Sequence, residues 1–405
     1  MSLLVLFIIA IFVYSLVSGR LERTVITAPI VFTTLGLVVF PIIRLRWDLA
    51  ADRGLFLTLA ELGLVMLLFT DASRTSLAEL RDISNLPFRL LSTGMLLTLL
   101  LGALAALVIF RELSIWEAGI LAAILAPTDA GLGQVIVSSP RVPMKIREAL
   151  NVEAGLNDGL SVPFLLFFIA LAGAGAEGRD ARLLQFVGEQ LGFGALIGVA
   201  IGLVGGLLIG LAHRKGWMTD SWQRLGVVAL PLLCALASEA VDASMFIAAF
   251  VAGLAVQIGF KKAGRHSVEF AEESGQLLNL VVFFLFGLFV AEAWGRFEPS
   301  HFVYAVLSLT VVRMAPVALA LVGTGLSRAT VLFMGWFGPR GLASIVLGLV
   351  YFEKAHGAAH LTVTLAVMAT VLLSIFVHGL SAKPGIELYA RAVAGLKNDA
   401  PENEV

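Results

Sequence analysis

Charge is what this chain has least of. Only 14% of its 405 residues are Asp, Glu, Lys or Arg, against about 25% in an ordinary soluble domain. A soluble fold cannot be wrapped in so few charges. The shortage is even-handed: the net charge is -1, which leaves no basic face for nucleic acid. Cysteine is almost missing as well. Cys234 stands alone, and a single thiol excludes an internal disulfide and a thiolate metal cluster.

What is present is apolar. Hydrophobic residues make up 59% of the chain and the mean hydropathy is +0.95, so an all-α polytopic membrane protein is expected. The 40 glycines suit membrane helices whose backbones approach closely. About 20 apolar residues cross a bilayer as a helix, which gives about 13 spans. They fall near 2–18, 25–43, 54–71, 87–110, 115–137, 146–173, 183–212, 222–238, 243–260, 274–295, 301–322, 328–351 and 359–381. The opening run has no basic residues before it and no Ala-x-Ala site after it, so it reads as the first span rather than a signal peptide. Residues 1–382 form the transmembrane domain, and 383–405 read as a short, polar, loosely ordered cytoplasmic tail.

Loop charges set the orientation. One side gathers Arg20, Arg23, Arg74, Arg81, Arg141, Lys145, Arg147, Arg214, Lys215, Arg224, Lys261, Lys262, Arg265, Lys383, Arg391 and Lys397. The other has chiefly Arg44, Arg46, Arg53, Arg111, Arg179 and Arg182. The balance puts the N-terminus outside and the C-terminus in the cytoplasm of a cell inner or plasma membrane.

Ionisable groups inside apolar spans are costly, so each is a functional candidate. Asp71, Asp129, Glu153, Asp158, Arg313 and Arg340 stand out. The fifth span contains Pro127-Thr128-Asp129 followed by Gly131 and Gly133. Proline removes a donor and glycine tolerates unwound backbone, so a broken helix with free carbonyls is expected, the parts needed to hold a cation. The sixth span places Glu153, Asn157 and Ser161 on one helix face with Asp158 beside it. The twelfth contains Gly338-Pro339-Arg340-Gly341. Spans 1–6 and 8–13 then form two sets, each broken in its fifth member, which is the sequence signature of inverted repeats around a transport site. Arg313 is either a snorkelling residue at a span end or part of the site.

Ala126-Pro127-Thr128-Asp129, Glu153 with Asn157-Asp158-Gly159, and Gly338-Pro339-Arg340-Gly341 together resemble the signatures of the NhaP-type cation:proton antiporters. The resemblance covers nearly the whole chain. It implies an NhaA-like fold with two crossed, discontinuous helices, and a homodimer in the lipid bilayer with a core domain at roughly 87–173 and 301–381. It implies Asp158 as the shared ligand of Na+, Li+ or K+ and of H+, with Asp129 and Thr128 assisting. Asn157 would hold the core together, Glu153 would pair with Arg340, and Asp71, in Phe69-Thr70-Asp71-Ala72, would lie near the ion path. Some relatives have serine where this chain has Ala154, so water or Ser161 would supply that oxygen. The Asn-Asp pair is similar to the electroneutral branch. No cofactor is expected. Two rival classes remain: an intramembrane aspartyl protease using Asp129 and Asp158, for which the Gly-x-Gly-Asp motif is missing, and a cation channel, for which no filter-like repeat appears.

Overall fold

The computed structural model describes residues 3–21, 24–43, 49–74, 86–173, 181–260, 265–354, 358–395 and 400–402. Arg23, Arg44, Arg46, Arg81, Arg179, Lys261, Lys262 and Lys397, which helped to set the orientation, lie outside the described residues. No strand occurs among those described.

The helices fall where the apolar runs do. They are α1 (Leu3–Leu21), α2 (Ala28–Ile43), α3 (Leu49–Arg74), α4 (Leu86–Ile109), α5 (Ile115–Leu125), α6 (Ala130–Val137), α7 (Met144–Gly173) and α8 (Ala181–Arg214). Then come α9 (Asp220–Glu239), α10 (Met245–Gly259), α11 (Arg265–Ala293), α12 (Pro299–Leu309), α13 (Val311–Ala320), α14 (Arg328–Trp336), α15 (Leu342–Lys354) and α16 (Ala358–Val393). Among the described residues, 8 helical stretches are long and apolar enough to cross a membrane, and four shorter apolar helices join them. The fifth expected span is the pair α5 and α6, and the twelfth is α14 and α15.

Local chemistry sets several helix starts. Ser114 and Glu117 form a reciprocal capping box at α5, and Ser244 and Ser327 cap α10 and α14 through their hydroxyls. Each supplies an acceptor to an amide the first turn leaves unpaired. The helices pack in two groups. α2, α3, α8, α9, α10 and α11 lie against one another, and α4, α5, α7, α12, α13, α14 and α16 form the other set. Side chains cannot separate α8 from α10: a Cβ on Gly198, Gly202 or Gly206 would run into the α10 backbone. α3, α7 and α15 carry contacts between the groups.

The tail departs from its expected looseness. α16 continues past residue 382 to Val393, because Ala382, Ile386 and Tyr389 recur on one face and bury against Phe333 and Phe337. Tyr389 stacks on Phe333 at 4.1 Å. Beyond the helix, Glu402 is 2% exposed. Its Oε1 accepts from the Ser327 amide at 2.7 Å and the Thr330 hydroxyl at 2.8 Å, so the chain end seats a carboxylate on the positive N-terminus of α14. Composition alone conceals this: the tail is polar on average but periodic.

Burial works against the Glu402 charge, yet the Ser327 and Thr330 hydrogen bonds outweigh it and hold the carboxyl below the ordinary glutamate value. A depressed folded-state pKa contributes stability above the unfolded value and loses it as pH falls through the folded one. Glu402→Gln should therefore lower thermal stability at neutral pH by about 1 kcal/mol. In melts at falling pH the gap to wild type should close below the ordinary glutamate pKa. An equal gap at all pH values would mean that the carboxylate charge plays no part.

Candidate cation and proton site

Breaking a helix inside an apolar bundle frees backbone groups that must find partners. Between α5 and α6 the chain unwinds over Ala126–Asp129, and Asp129 is extended at φ -82°, ψ 116°. Between α14 and α15 it unwinds from Phe337 to Gly341. The two unwound stretches cross and satisfy one another. The Asp129 amide donates to the Pro339 carbonyl at 2.7 Å. Arg340 Nη1 donates to the Ala126 and Pro127 carbonyls at 2.6 and 2.8 Å, and the Ser344 hydroxyl donates to the Ile124 carbonyl at 2.7 Å. A guanidinium thus sits at the negative C-terminus of α5.

Asp129 does the converse. Its Oδ1 accepts from the Leu132 amide at 2.8 Å and its Oδ2 from the Leu342 amide at 2.6 Å. One carboxylate therefore caps the positive N-termini of both α6 and α15. Gly341 permits this, because a Cβ there would overlap the Asp129 carboxylate.

α7 closes the site from one side. Asn157 Nδ2 donates to the Thr128 hydroxyl at 2.7 Å, and Asn157 Oδ1 accepts from the Thr128 amide at 3.2 Å. The amide side chain thereby ties α7 to the unwound stretch. Asp158, the next residue, is 3% exposed and its Oδ1 has no hydrogen-bond partner. Asp129, Asp71 and Arg340 are within electrostatic reach of it. Asp71 lies on α3 against Gly155 of α7. The Ser161 hydroxyl is turned to the Asp158 backbone carbonyl at 2.8 Å, so in this structure it is occupied within its own helix.

One expected contact is corrected. Glu153 is bound by Arg313, not by Arg340: Arg313 Nη1 and Nη2 donate to its two carboxylate oxygens at 2.5 and 3.0 Å. Arg340 is drawn instead to the carbonyls freed at the end of α5, which need a donor more than a second cation is needed at Glu153. Gly338 lets the Arg313 guanidinium pass, since a Cβ would clash with it. Arg313 is 4% exposed, so it does not snorkel.

The structure thus gathers Thr128, Asp129, Asn157, Asp158, Glu153, Arg313, Arg340 and Asp71 around one crossing. Sequence reasoning passed over Ser344, Ser374 and His378. The signal for His378 was present, as an ionisable side chain within an apolar span. No hydrogen bond joins Asp129 to Asp158: backbone amides donate to both Asp129 oxygens, and Asp158 Oδ1 has no partner. A cavity of about 20 Å³ lined by Thr128, Asp129, Glu153, Ala154 and Pro339 reaches the crossing from the Val137 end. A larger one of about 440 Å³, mostly apolar, lies between α3 and α11 on one side and α15 and α16 on the other. It does not include Asp158.

A helical bundle with two discontinuous helices crossing beside buried carboxylates defines the class of secondary transporters. Within that class, residues 6–387 match the family described as "Sodium/hydrogen exchanger, transmembrane", and the chain belongs to it. The fold is that of the sodium proton antiporter MjNhaP1 from Methanocaldococcus jannaschii at pH 8, with a TM-score of 0.76 at 19% identity over 96% of this chain and 98% of that one. Among curated relatives, the K(+)/H(+) antiporter NhaP of Alkalimonas amylolytica is 29% identical over 91% of this chain. A probable Na(+)/H(+) antiporter of Schizosaccharomyces pombe is 28% identical over 62% of it. The matches span 65% and 35% of those relatives' own lengths.

Removing one partner of a buried ion pair costs about 3–5 kcal/mol. Glu153→Gln and Arg313→Gln should each destabilise on that scale, and the double variant should lose clearly less than the two losses together. Thermal melts of the four proteins in detergent form the cycle; additive losses would show that the pair is not coupled.

Proposed function

We propose that the chain exchanges a monovalent cation, Na+ first and K+ or Li+ next, for protons across a cell membrane, with Asp158 as the shared site. One observation carries this reading. Around the crossing, three buried carboxylates (Asp129, Glu153 and Asp158) face two buried guanidiniums (Arg313 and Arg340). Asp129 is held by helix N-termini and Glu153 by Arg313, which leaves the excess negative charge on the carboxyl with an unpartnered oxygen. A buried, uncompensated carboxylate is costly. A proton or a hard monovalent cation removes that cost, and the two compete for the same oxygens. Carrying one or the other, but not neither, is exchange.

The relatives named as Na+/H+ and K+/H+ antiporters support the ion class. Thr128 and Asp129 orient the unwound backbone near the ion, Asn157 fixes Asp158 against it, and Asp71 lies on the approach. The helices at roughly 87–173 and 301–381 act as the moving core, spans 1–6 and 8–13 as inverted repeats, and the remaining helices as the dimer-forming frame in an inner or plasma membrane. The N-terminus is outside and the C-terminus cytoplasmic, as the loop charges favour.

Asp158→Asn keeps the shape and removes the charge. In proteoliposomes with an internal pH dye it should fold and lose nearly all Na+-driven proton flux; wild-type flux would overturn the assignment. Asn157 cannot titrate, so one proton should move per cation. With K+ transport excluded, setting the membrane potential to zero or to either sign with valinomycin should then leave the Na+-driven rate nearly unchanged. A marked acceleration by potential would mean that a second proton is carried.

A further inference from the structure

Three of the four half-helix ends at the crossing meet a charged side chain: α5 ends on Arg340, while α6 and α15 begin on Asp129. The fourth is the C-terminus of α14, where the chain leaves the helix at Trp336 and Phe337. Its Trp336 carbonyl accepts from the Gly338 amide at 2.9 Å and also lies 3.0 Å from Nε2 of His378. A carbonyl only accepts, so Nε2 carries the hydrogen. The other ring nitrogen, Nδ1, is 3.1 Å from the Ser374 hydroxyl, one turn back on α16. That same hydroxyl accepts from the Arg340 amide at 2.6 Å. In a neutral ring protonated at Nε2, Nδ1 carries only a lone pair, so the Ser374 hydroxyl donates to it and the Ser374 carbonyl, 3.2 Å from Nδ1, receives no hydrogen from the ring.

The result is one directed chain of hydrogen bonds. It runs from the Arg340 amide to Ser374, from Ser374 to Nδ1 of His378, and from Nε2 of His378 to the Trp336 carbonyl. It starts at Arg340 within the unwound stretch, passes through α16 and ends at Trp336, the last residue of α14, so it braces the stretch on both sides. Ser374 is 0% exposed and His378 2%, so water does not replace either link. Resting on the exchange reading above, we infer that His378, acting through Ser374, is a positioning residue for the cation site. It closes the fourth helix end and fixes the backbone that presents Arg340 to α5 and the Leu342 amide to Asp129. Its tie to the site runs through backbone, so it shapes cation affinity without touching the ion.

The test uses the full chain in proteoliposomes and in detergent. Ser374→Ala leaves the buried Arg340 amide without its acceptor, and His378→Leu removes one of the two donors to the Trp336 carbonyl together with the acceptor of the Ser374 hydroxyl; losses of this kind correspond to about a tenfold change in an equilibrium. His378→Leu and Ser374→Ala should each raise the apparent KM for Na+ by about that factor, with a smaller effect on Vmax. His378→Gln, which keeps an N–H in reach of the Trp336 carbonyl, should recover most of the affinity. The double variant His378→Leu/Ser374→Ala should be little worse than either single one, since both cut the same chain. Hydrogen–deuterium exchange should show faster uptake in peptides covering 337–345 for His378→Leu and Ser374→Ala, but not for His378→Gln.

An unchanged KM with Vmax falling in step with the yield of folded protein would reduce His378 to ordinary packing and overturn the inference. Unchanged deuterium uptake in that segment would overturn it too. The wild type in the same vesicles separates the two ideas. If it exchanges none of Na+, K+ or Li+, the exchange reading fails, while the deuterium data still decide whether His378 and Ser374 brace the crossing.

Discussion

Everything at the centre of this molecule follows from backbone groups that cannot reach water. Two helices are broken where apolar side chains surround them, and each break frees carbonyls on one side and amides on the other. Crossing the breaks lets one unwound chain serve the other, but the helix ends still carry partial charge. A short cast of side chains neutralises them: Arg340 at one carbonyl end, His378 at the other, and Asp129 between the two amide ends. Those duties consume Asp129. They also explain why Arg340 does not serve Glu153, and why a second arginine, Arg313, does.

The charges therefore divide into held and unheld. Asp129 and Glu153 have two donors each, geometry that makes a buried charge tolerable. Asp158 is as deeply buried but lacks that support at Oδ1. Asn157 is one residue away, yet its amide is spent on Thr128. A sequence with Asn-Asp at this place thus separates two roles, one rigid and one exchangeable, along a single turn of α7.

Much of this was legible in the residues. Apolar runs located the helices because bilayer thickness fixes their length, and proline with glycine located both breaks because few other residues allow unwound backbone in a span. The cast around Asp158 was legible because buried charge is too costly to be incidental. Pairing was not. Glu153 has two arginines to choose from, and the choice depends on which guanidinium the freed α5 carbonyls claim first, a three-dimensional competition that spacing does not encode. The same holds for the chain end. Ala382, Ile386 and Tyr389 were visible at helical spacing, but Glu402 finds Ser327 only because α14 starts nearby. Ser374 and His378 share a helix face, yet nothing in one sequence says that a carbonyl and an amide of another span await them.

The same bracing constrains how a transported ion can move. Asp158 is 3% exposed and the 20 Å³ cavity touches Asp129 and Glu153 instead, so an ion reaches Asp158 more easily if some part shifts. The crossing itself is the costliest place to give way. Parting it would strip partners from Arg340, Asp129 and Thr128 together, each a buried polar group whose loss costs about 1–3 kcal/mol. The boundary between the two helix groups offers less resistance. There Gly159 meets the Phe250 ring and Gly155 packs beside Asp71, contacts in which the glycine offers no side chain to interlock. On the exchange reading proposed above, the core helices α4–α7 and α12–α16, which the Arg313–Glu153 pair also ties together, therefore travel as a block with Asp158 carried inside it. On that reading an ion held on such a block would cross by displacement of the site rather than by passage through a pore, and one carboxyl with a free oxygen would suffice to carry it.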